Sequence, residues 1–305
     1  MLLKDFISGS VSDLEALYGP DEAKSIVLML CEALLGTRSY THIIEPGYEI
    51  AAGKRASLDA AMQRLKEGEP LQYVLGYAHF SGFMFRVDPS VLIPRPETEL
   101  LCRMSSEALD MKRRRLDAFG RKDVKVLDLC TGSGCIAWTL ALSCPGCRVM
   151  GVDISEGALR TADGQDFGGE IKRTGALKPV FIREDVLALA EDGPLPDAVA
   201  GWGGFDILVS NPPYVRDSER AMMRRNVCDF EPGLALFVPD EDPLKFYRSI
   251  AVWAKLALVD GGAGFVEINE AFGEQTAALF RGAGFRNVGA VKDFCGKNRF
   301  VRFTK

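Results

Sequence analysis

An α/β fold, with a mostly parallel sheet preceded by a small helical bundle and a β-hairpin, is what this sequence predicts. Two observations predict it. Apolar residues at helical spacing over 1–75 give way to period-two alternation at 76–88. From Val124 onward, apolar strand-like runs alternate with helical ones, as in a doubly wound sheet. At 305 residues and 47% hydrophobic, the chain can build two cores. The expected domains are 1–75, a hairpin and linker over 76–120, and 121–305.

In the first domain, 13–18, 21–35, 49–52 and 57–67 read as helices, with Ser57 placed as an N-cap. Gly-Pro and Glu-Pro pairs punctuate them. The first 75 residues carry seven Lys or Arg against eleven Asp or Glu, the wrong balance for gripping nucleic acid. Around Gly82, residues 76–88 alternate as a hairpin, in which His79 is a hairpin residue. The Lys- and Arg-rich stretch 111–121 reads as a solvated connection.

The first sheet strand, Val126-Leu127-Asp128-Leu129, runs into Cys130-Thr131-Gly132-Ser133-Gly134 and then a helix from Cys135. Glycines there allow positive φ and close approach of a ligand. The following helix start favours an anionic group. The second strand ends in Asp153, placed to accept from the hydroxyls of a ribose. The third ends in Glu184-Asp185, with Asp185 toward an adenine edge and Val186 beside it. The fourth, 205–210, ends in Asn211-Pro212-Pro213-Tyr214. Two prolines stiffen that turn and remove backbone donors. The Asn211 carbonyl and the Pro212 carbonyl form a pair of acceptors suited to an –NH₂ group, and Tyr214 offers a flat face. A fifth strand at 261–268, a helix at 270–284 and an antiparallel edge at 285–291 and 300–304 follow.

Gly132-x-Gly134-x-x-Ala137 with Asp153 also matches a dinucleotide fingerprint. Asp128 and the amide-clamping turn favour S-adenosylmethionine over nicotinamide. The candidate cofactor residues are therefore Cys130, Thr131, Gly132, Ser133, Gly134, Asp153, Asp185, Val186 and Asn211. Asn211, Pro212 and Tyr214 are the catalytic candidates; no metal is expected.

With these motifs in hand, the chain resembles the peptide chain release factor glutamine methyltransferases, the HemK/PrmC family. The resemblance also rests on 68–76 (Gly-Glu-Pro-Leu-Gln-Tyr-Val-Leu-Gly) and on Leu92-Ile93-Pro94-Arg95-Pro96-Glu97-Thr98-Glu99. Glu231-Pro232, Phe246-Tyr247, Glu267-Ile268 and 292–299 fit as well. It implies a seven-stranded Rossmann-like class I methyltransferase domain behind a helical substrate-recognition domain. It implies methyl transfer from S-adenosylmethionine to the glutamine of a Gly-Gly-Gln loop in class-I release factors. It places Arg95 and Glu97, with Glu99 nearby, at the substrate entrance beside Asn211, Pro212, Pro213 and Tyr214. The chain departs from the family at Cys130, where Gly is usual, and at Val186, where an aromatic is frequent. It also carries a longer 189–204 segment and a different turn at 269–273.

A nucleic-acid amino-methyltransferase would use the same turn, but a pI near 5.3 supplies no basic face for it. A non-catalytic adaptor would not need Asn211, Pro212 and Tyr214 together. The eight cysteines are scattered, and Cys144-Pro145-Gly146-Cys147 lacks the second pair a zinc site needs. Reduced thiols, no signal peptide and no membrane-length apolar run imply a cytoplasmic address, and a monomer is expected.

Overall fold

The computed structural model describes residues 1–117, 123–191 and 193–305. It divides into two compact units, Met1–Tyr77 with Arg224–Phe230, and Ala78–Met223 with Glu231–Lys305.

The first unit is helical. α1 (Leu3–Tyr18) buries Leu3, Phe6, Ile7, Ser10 and Leu14, a stripe at three- and four-residue spacing. α2 (Pro20–Leu35) opens on proline with Asp21 and Glu22 in its first turn and ends at left-handed Gly36. α3 (Thr41–Ile44) is a single turn. α4 (Ala52–Lys66) buries Leu58, Ala61, Met62 and Leu65, and α5 (Leu71–Leu75) follows Pro70. Two readings change here. Ser57 is not an N-cap, because α4 already begins at Ala52. Glu49 is not helical but bridges Leu2.

β1 (Tyr77–Phe80) and β2 (Phe83–Arg86), in the second unit from Ala78 onward, pair around Ser81 and Gly82, both at positive φ as a tight hairpin turn requires. α6 (Pro96–Asp117) follows. The linker expected at 76–120 therefore contains a long helix, and the solvated stretch at 111–121 is helical to Asp117, with 118–121 outside the described residues. The buried face of α6 is Thr98, Leu101, Cys102, Ser105 and Leu109. Two polar members dilute its apolar stripe, which is why the period did not stand out.

The sheet begins with β3 (Lys125–Leu129), α7 (Cys135–Ser143), β4 (Arg148–Asp153), α8 (Glu156–Asp163), α9 (Gly168–Thr174) and β5 (Val180–Arg183). Within 189–204, α10 (Asp197–Ala200) buries Val199 completely. β6 (Phe205–Ser210) is buried along its whole length. β7 (Val215–Arg216), α11 (Arg225–Phe230, part of the first unit) and β8 (Phe237–Val238) come next, then α12 (Lys245–Ala257) and β9 (Leu258–Glu267). The expected helix at 270–284 starts with a 3₁₀ turn capped by Asn269, then becomes α13 (Gly273–Gly282). β10 (Arg286–Lys292) and β11 (Asn298–Thr304) close the edge.

The seven strands run in the order β10-β11-β9-β6-β3-β4-β5, with β11 antiparallel to both of its neighbours. Alternate residues feed two cores. Val126, Ile207 and Val209 pack with Trp138 and Phe265 on one face. Leu127, Leu129 and Leu208 pack with Trp253 and Phe303 on the other. The chain leaves β3 toward β4 on one side and returns to β6 on the other. The strand order therefore reverses between β3 and β6, where open α/β sheets hold ligands.

Candidate active site

A cleft of about 1080 Å³, counting its open mouth, lies beyond the carboxyl ends of β3 and β6. The 90–98 stretch, the loop after β3 and the ends of β4 and β5 contribute to its wall, together with Asn211, Pro213 and Pro232.

The loop after β3 is held by carboxylates. The Thr131 hydroxyl donates to Asp128 Oδ2 at 2.6 Å. Burial pushes the Asp128 carboxyl up to about 7, against the pull of that hydroxyl. Asp153 accepts from Gly132 N and from Ser155 N, both at 2.9 Å. Its carboxyl is raised by burial, and these amide donors pull it back. Gly134 sits at φ +76, and a Cβ there would come within about 3.0 Å of Ala162, with Phe181 and Trp138 almost as close. A Cβ on Gly132 would meet no protein atom within 4 Å, so that face of the loop is open. Cys130 has φ 59, the left-handed region where glycine is at ease and a side chain is strained. Asp185 caps the following turn through Leu187 N at 2.8 Å, and Val186 is buried behind it.

The turn after β6 is held from far away in sequence. Asn211 Nδ2 donates to Thr98 Oγ1 at 3.2 Å. Thr98 Oγ1 donates to Glu267 Oε2 at 2.7 Å. The Tyr214 hydroxyl donates to Glu267 Oε1 at 3.0 Å. Asn269 Nδ2 donates to the Tyr214 carbonyl at 3.2 Å. Glu267 is 1% exposed, and burial pushes its carboxyl up to about 7 while Thr98 and Tyr214 pull it down. Burial and the neighbouring Glu267 carboxylate both raise the Tyr214 phenol, which keeps its proton. On the opposite wall, Arg95 pairs with buried Glu231 at 2.5 Å, and Ile93 N donates to the same carboxylate at 3.0 Å. Glu231 therefore clamps the 91–95 stretch.

Of the residues singled out in the sequence, Arg95, Cys130, Thr131, Gly132, Ser133, Asp153, Asp185, Val186, Asn211 and Pro213 line the cleft. Pro212 is buried, Gly134 supports the loop from behind, and Tyr214 points its hydroxyl to Glu267. Glu97 is exposed and does not line the cleft, and Glu99 accepts from Ser81 N in the hairpin turn at 2.9 Å. Thr98, Glu231 and Glu267 carried no assigned role. Their signal lay in the resemblance strings, where each stands inside a matched motif.

A seven-stranded, mostly parallel sheet with one reversed strand near its edge and a cleft at the strand-order reversal defines a Rossmann-like class I methyltransferase fold. Residues 8–76 match the family model "PrmC N-terminal domain". A release factor glutamine methyltransferase from Bacteroides thetaiotaomicron is 38% identical over 291 residues, covering 94% of this chain and 95% of its own. One from Flavobacterium psychrophilum is 34% identical over 302 residues, covering 99% of each chain. The crystal structure of a protein-(glutamine-N5) methyltransferase (release factor-specific) from Alicyclobacillus acidocaldarius is 28% identical. It covers 72% of this chain and 99% of its own, with a TM-score of 0.40. The chain belongs to the release factor glutamine methyltransferase family.

Proposed function

We propose that this enzyme transfers a methyl group from S-adenosylmethionine to the side-chain amide nitrogen of the glutamine in the Gly-Gly-Gln motif of class-I release factors. The observation that carries the reading is the pose of Asn211. Its Nδ2 is committed to Thr98, which turns Oδ1 the other way, at a cleft-lining position on a turn stiffened by two prolines.

The cleft fits the cofactor. Asp153 at the end of β4 still has lone pairs for ribose hydroxyls beyond its two backbone donors. Ile154, Val186 and Leu187 give an apolar surface for an adenine ring beside Asp185. Thr131, Gly132 and Ser133, before the start of α7, suit the carboxylate end. When bound, S-adenosylmethionine supplies an activated methyl group on a sulfonium.

The chain's own work is to hold a weak nucleophile. A carboxamide nitrogen shares its lone pair with its carbonyl. Accepting its two N–H hydrogens at Asn211 Oδ1 and the Pro212 carbonyl turns the lone pair toward the methyl and favours charge growing on nitrogen. Positioning of this kind contributes on the order of 7–11 kcal/mol. The Tyr214 ring, its hydroxyl tied to Glu267, packs against the amide or beside the sulfonium. Arg95, held by Glu231, frames the entrance. The acidic helical unit is assigned recognition of the protein substrate.

The test is a competition. The enzyme is given labelled S-adenosylmethionine with release factor, total RNA and DNA in one tube. Label on the release factor glutamine is expected, and none on a release factor whose motif glutamine is replaced by Glu. Label confined to nucleic acid overturns the reading.

A further inference from the structure

The two ends of an asparagine amide are nearly equal in size, so packing alone does not choose which faces a substrate. A hydrogen-bonding partner has to choose. Asn211 has such a partner in Thr98, but a hydroxyl can donate or accept, and by itself it would welcome either end. The choice passes to whatever fixes the hydroxyl proton.

Glu267 fixes it. Its two oxygens take the Thr98 proton at 2.7 Å and the Tyr214 proton at 3.0 Å. Above about pH 7, where its raised carboxyl is ionised, Glu267 only accepts, so both hydroxyls aim at it. Thr98 and Glu267 are each 1% exposed, so their link lies out of bulk water. Thr98 has one proton. Once it is given away, the oxygen can only accept, and the Asn211 group that donates is Nδ2.

We infer that Glu267 and Thr98 are positioning residues for methyl transfer: they lock Asn211 with Oδ1 presented to the substrate amide and Nδ2 turned away. This rests on the reading of Asn211 given above and deepens it. A flipped Asn211 would present two donors to an incoming –NH₂ group, which also donates. The substrate would be repelled at the reacting nitrogen while its remaining contacts were untouched. The loss therefore belongs in kcat rather than in KM.

The test compares Thr98→Val, Thr98→Ser and Glu267→Gln, with and without Asn211→Ala. Single-turnover methyl transfer is measured alongside S-adenosylmethionine affinity by calorimetry. Thr98→Val is expected to lower transfer by roughly tenfold to a hundredfold, with cofactor affinity and the KM for release factor within about twofold. Thr98→Ser, which keeps the hydroxyl, restores the rate. Glu267→Gln is equal in size to the native residue and tests the same link should Thr98→Val not fold; its rate must fall similarly. In the Asn211→Ala background, Thr98→Val should cause no further loss, since its effect passes through Asn211. A readout apart from turnover is the side-chain amide resonance of Asn211 in ¹⁵N-asparagine-labelled protein, assigned by its absence from Asn211→Ala. It should move in Thr98→Val and stay in Thr98→Ser. The inference is overturned if Thr98→Val and Glu267→Gln keep full turnover, or if their losses multiply with that of Asn211→Ala. If Asn211→Ala itself keeps full turnover, the reading of Asn211 fails instead.

Discussion

The loop after β3 and the turn after β6 leave neighbouring strands, Leu129 pairing with Ser210, but they are stiffened by different means. The loop is held locally. Thr131 leans on Asp128 three residues before it, and Gly132 on Asp153 across one adjacent strand. Its shape comes from glycine φ angles and strand-end carboxylates. The turn is held globally. Asn211 depends on Thr98, 113 residues away, and Thr98 on Glu267, 169 residues away. The local device suits a site that accepts one constant ligand. The distant device suits a site whose donor and acceptor pattern must not drift, because buried groups on two other elements fix it. Damage to the loop should therefore weaken cofactor binding, and damage to the turn should weaken the chemical step.

The largest effect should come from the turn. On the proposed reading, Asn211→Ala removes an acceptor whose interaction strengthens as charge builds on nitrogen. Transfer should fall on the order of 10²-fold or more, as when one transition-state hydrogen-bond partner is lost elsewhere. Cofactor affinity should change little. Rapid-quench kinetics on release factor measures this directly.

Asp153→Ala is the matching blow to the loop. It removes the partner of Gly132 N and, on the proposed reading, the acceptor for the cofactor's ribose. Loss of a hydrogen bond to a charged group costs about 1.5–3 kcal/mol, so S-adenosylmethionine affinity should drop roughly tenfold to a hundredfold in calorimetry. Transfer at saturating cofactor should recover. A variant that stayed slow at saturation would break the division between the two regions.

A smaller effect concerns pH. Burial raises the Glu267 carboxyl from 4.5 to about 7, against hydrogen bonds from Thr98 and Tyr214 and the attraction of Arg299, and with repulsion from Glu97. A carboxyl raised in the folded state binds its proton more tightly there. Its stabilising contribution is thus complete below about pH 4.5 and is lost as pH rises through about 7. Replacing it by Gln should flatten the dependence of Tm on pH between those limits. An unchanged slope would mean that Glu267 is ionised in the fold with an ordinary affinity for protons.

The smallest change should be Cys130→Gly. It relieves a left-handed φ of 59 but loosens the unfolded chain. Stability should rise by no more than about 1 kcal/mol, the scale of the strain itself. Chemical denaturation would show the opposite sign if the thiol's packing mattered more.

The same contrast explains what the sequence made legible. Strands β3 to β6 and the cofactor loop were readable because their determinants are short-range: β-branched runs, a Gly-x-Gly turn and acids at strand ends. The Asn211-Pro212-Pro213-Tyr214 turn was readable because its chemistry is written in four adjacent residues. Its supports were not. Thr98 looks like an ordinary first-turn residue of a helix, and Glu267 like an ordinary end of a strand, until the fold brings them together. α6 escaped notice because Thr98 and Ser105 interrupt its buried stripe with hydroxyls. The role of Glu231 was hidden for the same reason, since its partners Ile93 and Arg95 lie about 136 to 138 residues upstream.

The most direct test of the account crosses the two regions. S-adenosylmethionine affinity and the single-turnover transfer rate at saturating cofactor are measured for Asn211→Ala and Asp153→Ala with the same release factor. Near-native affinity with a collapsed rate is expected for Asn211→Ala, and weakened affinity with a recovered rate for Asp153→Ala. Near-normal transfer by Asn211→Ala would contradict it.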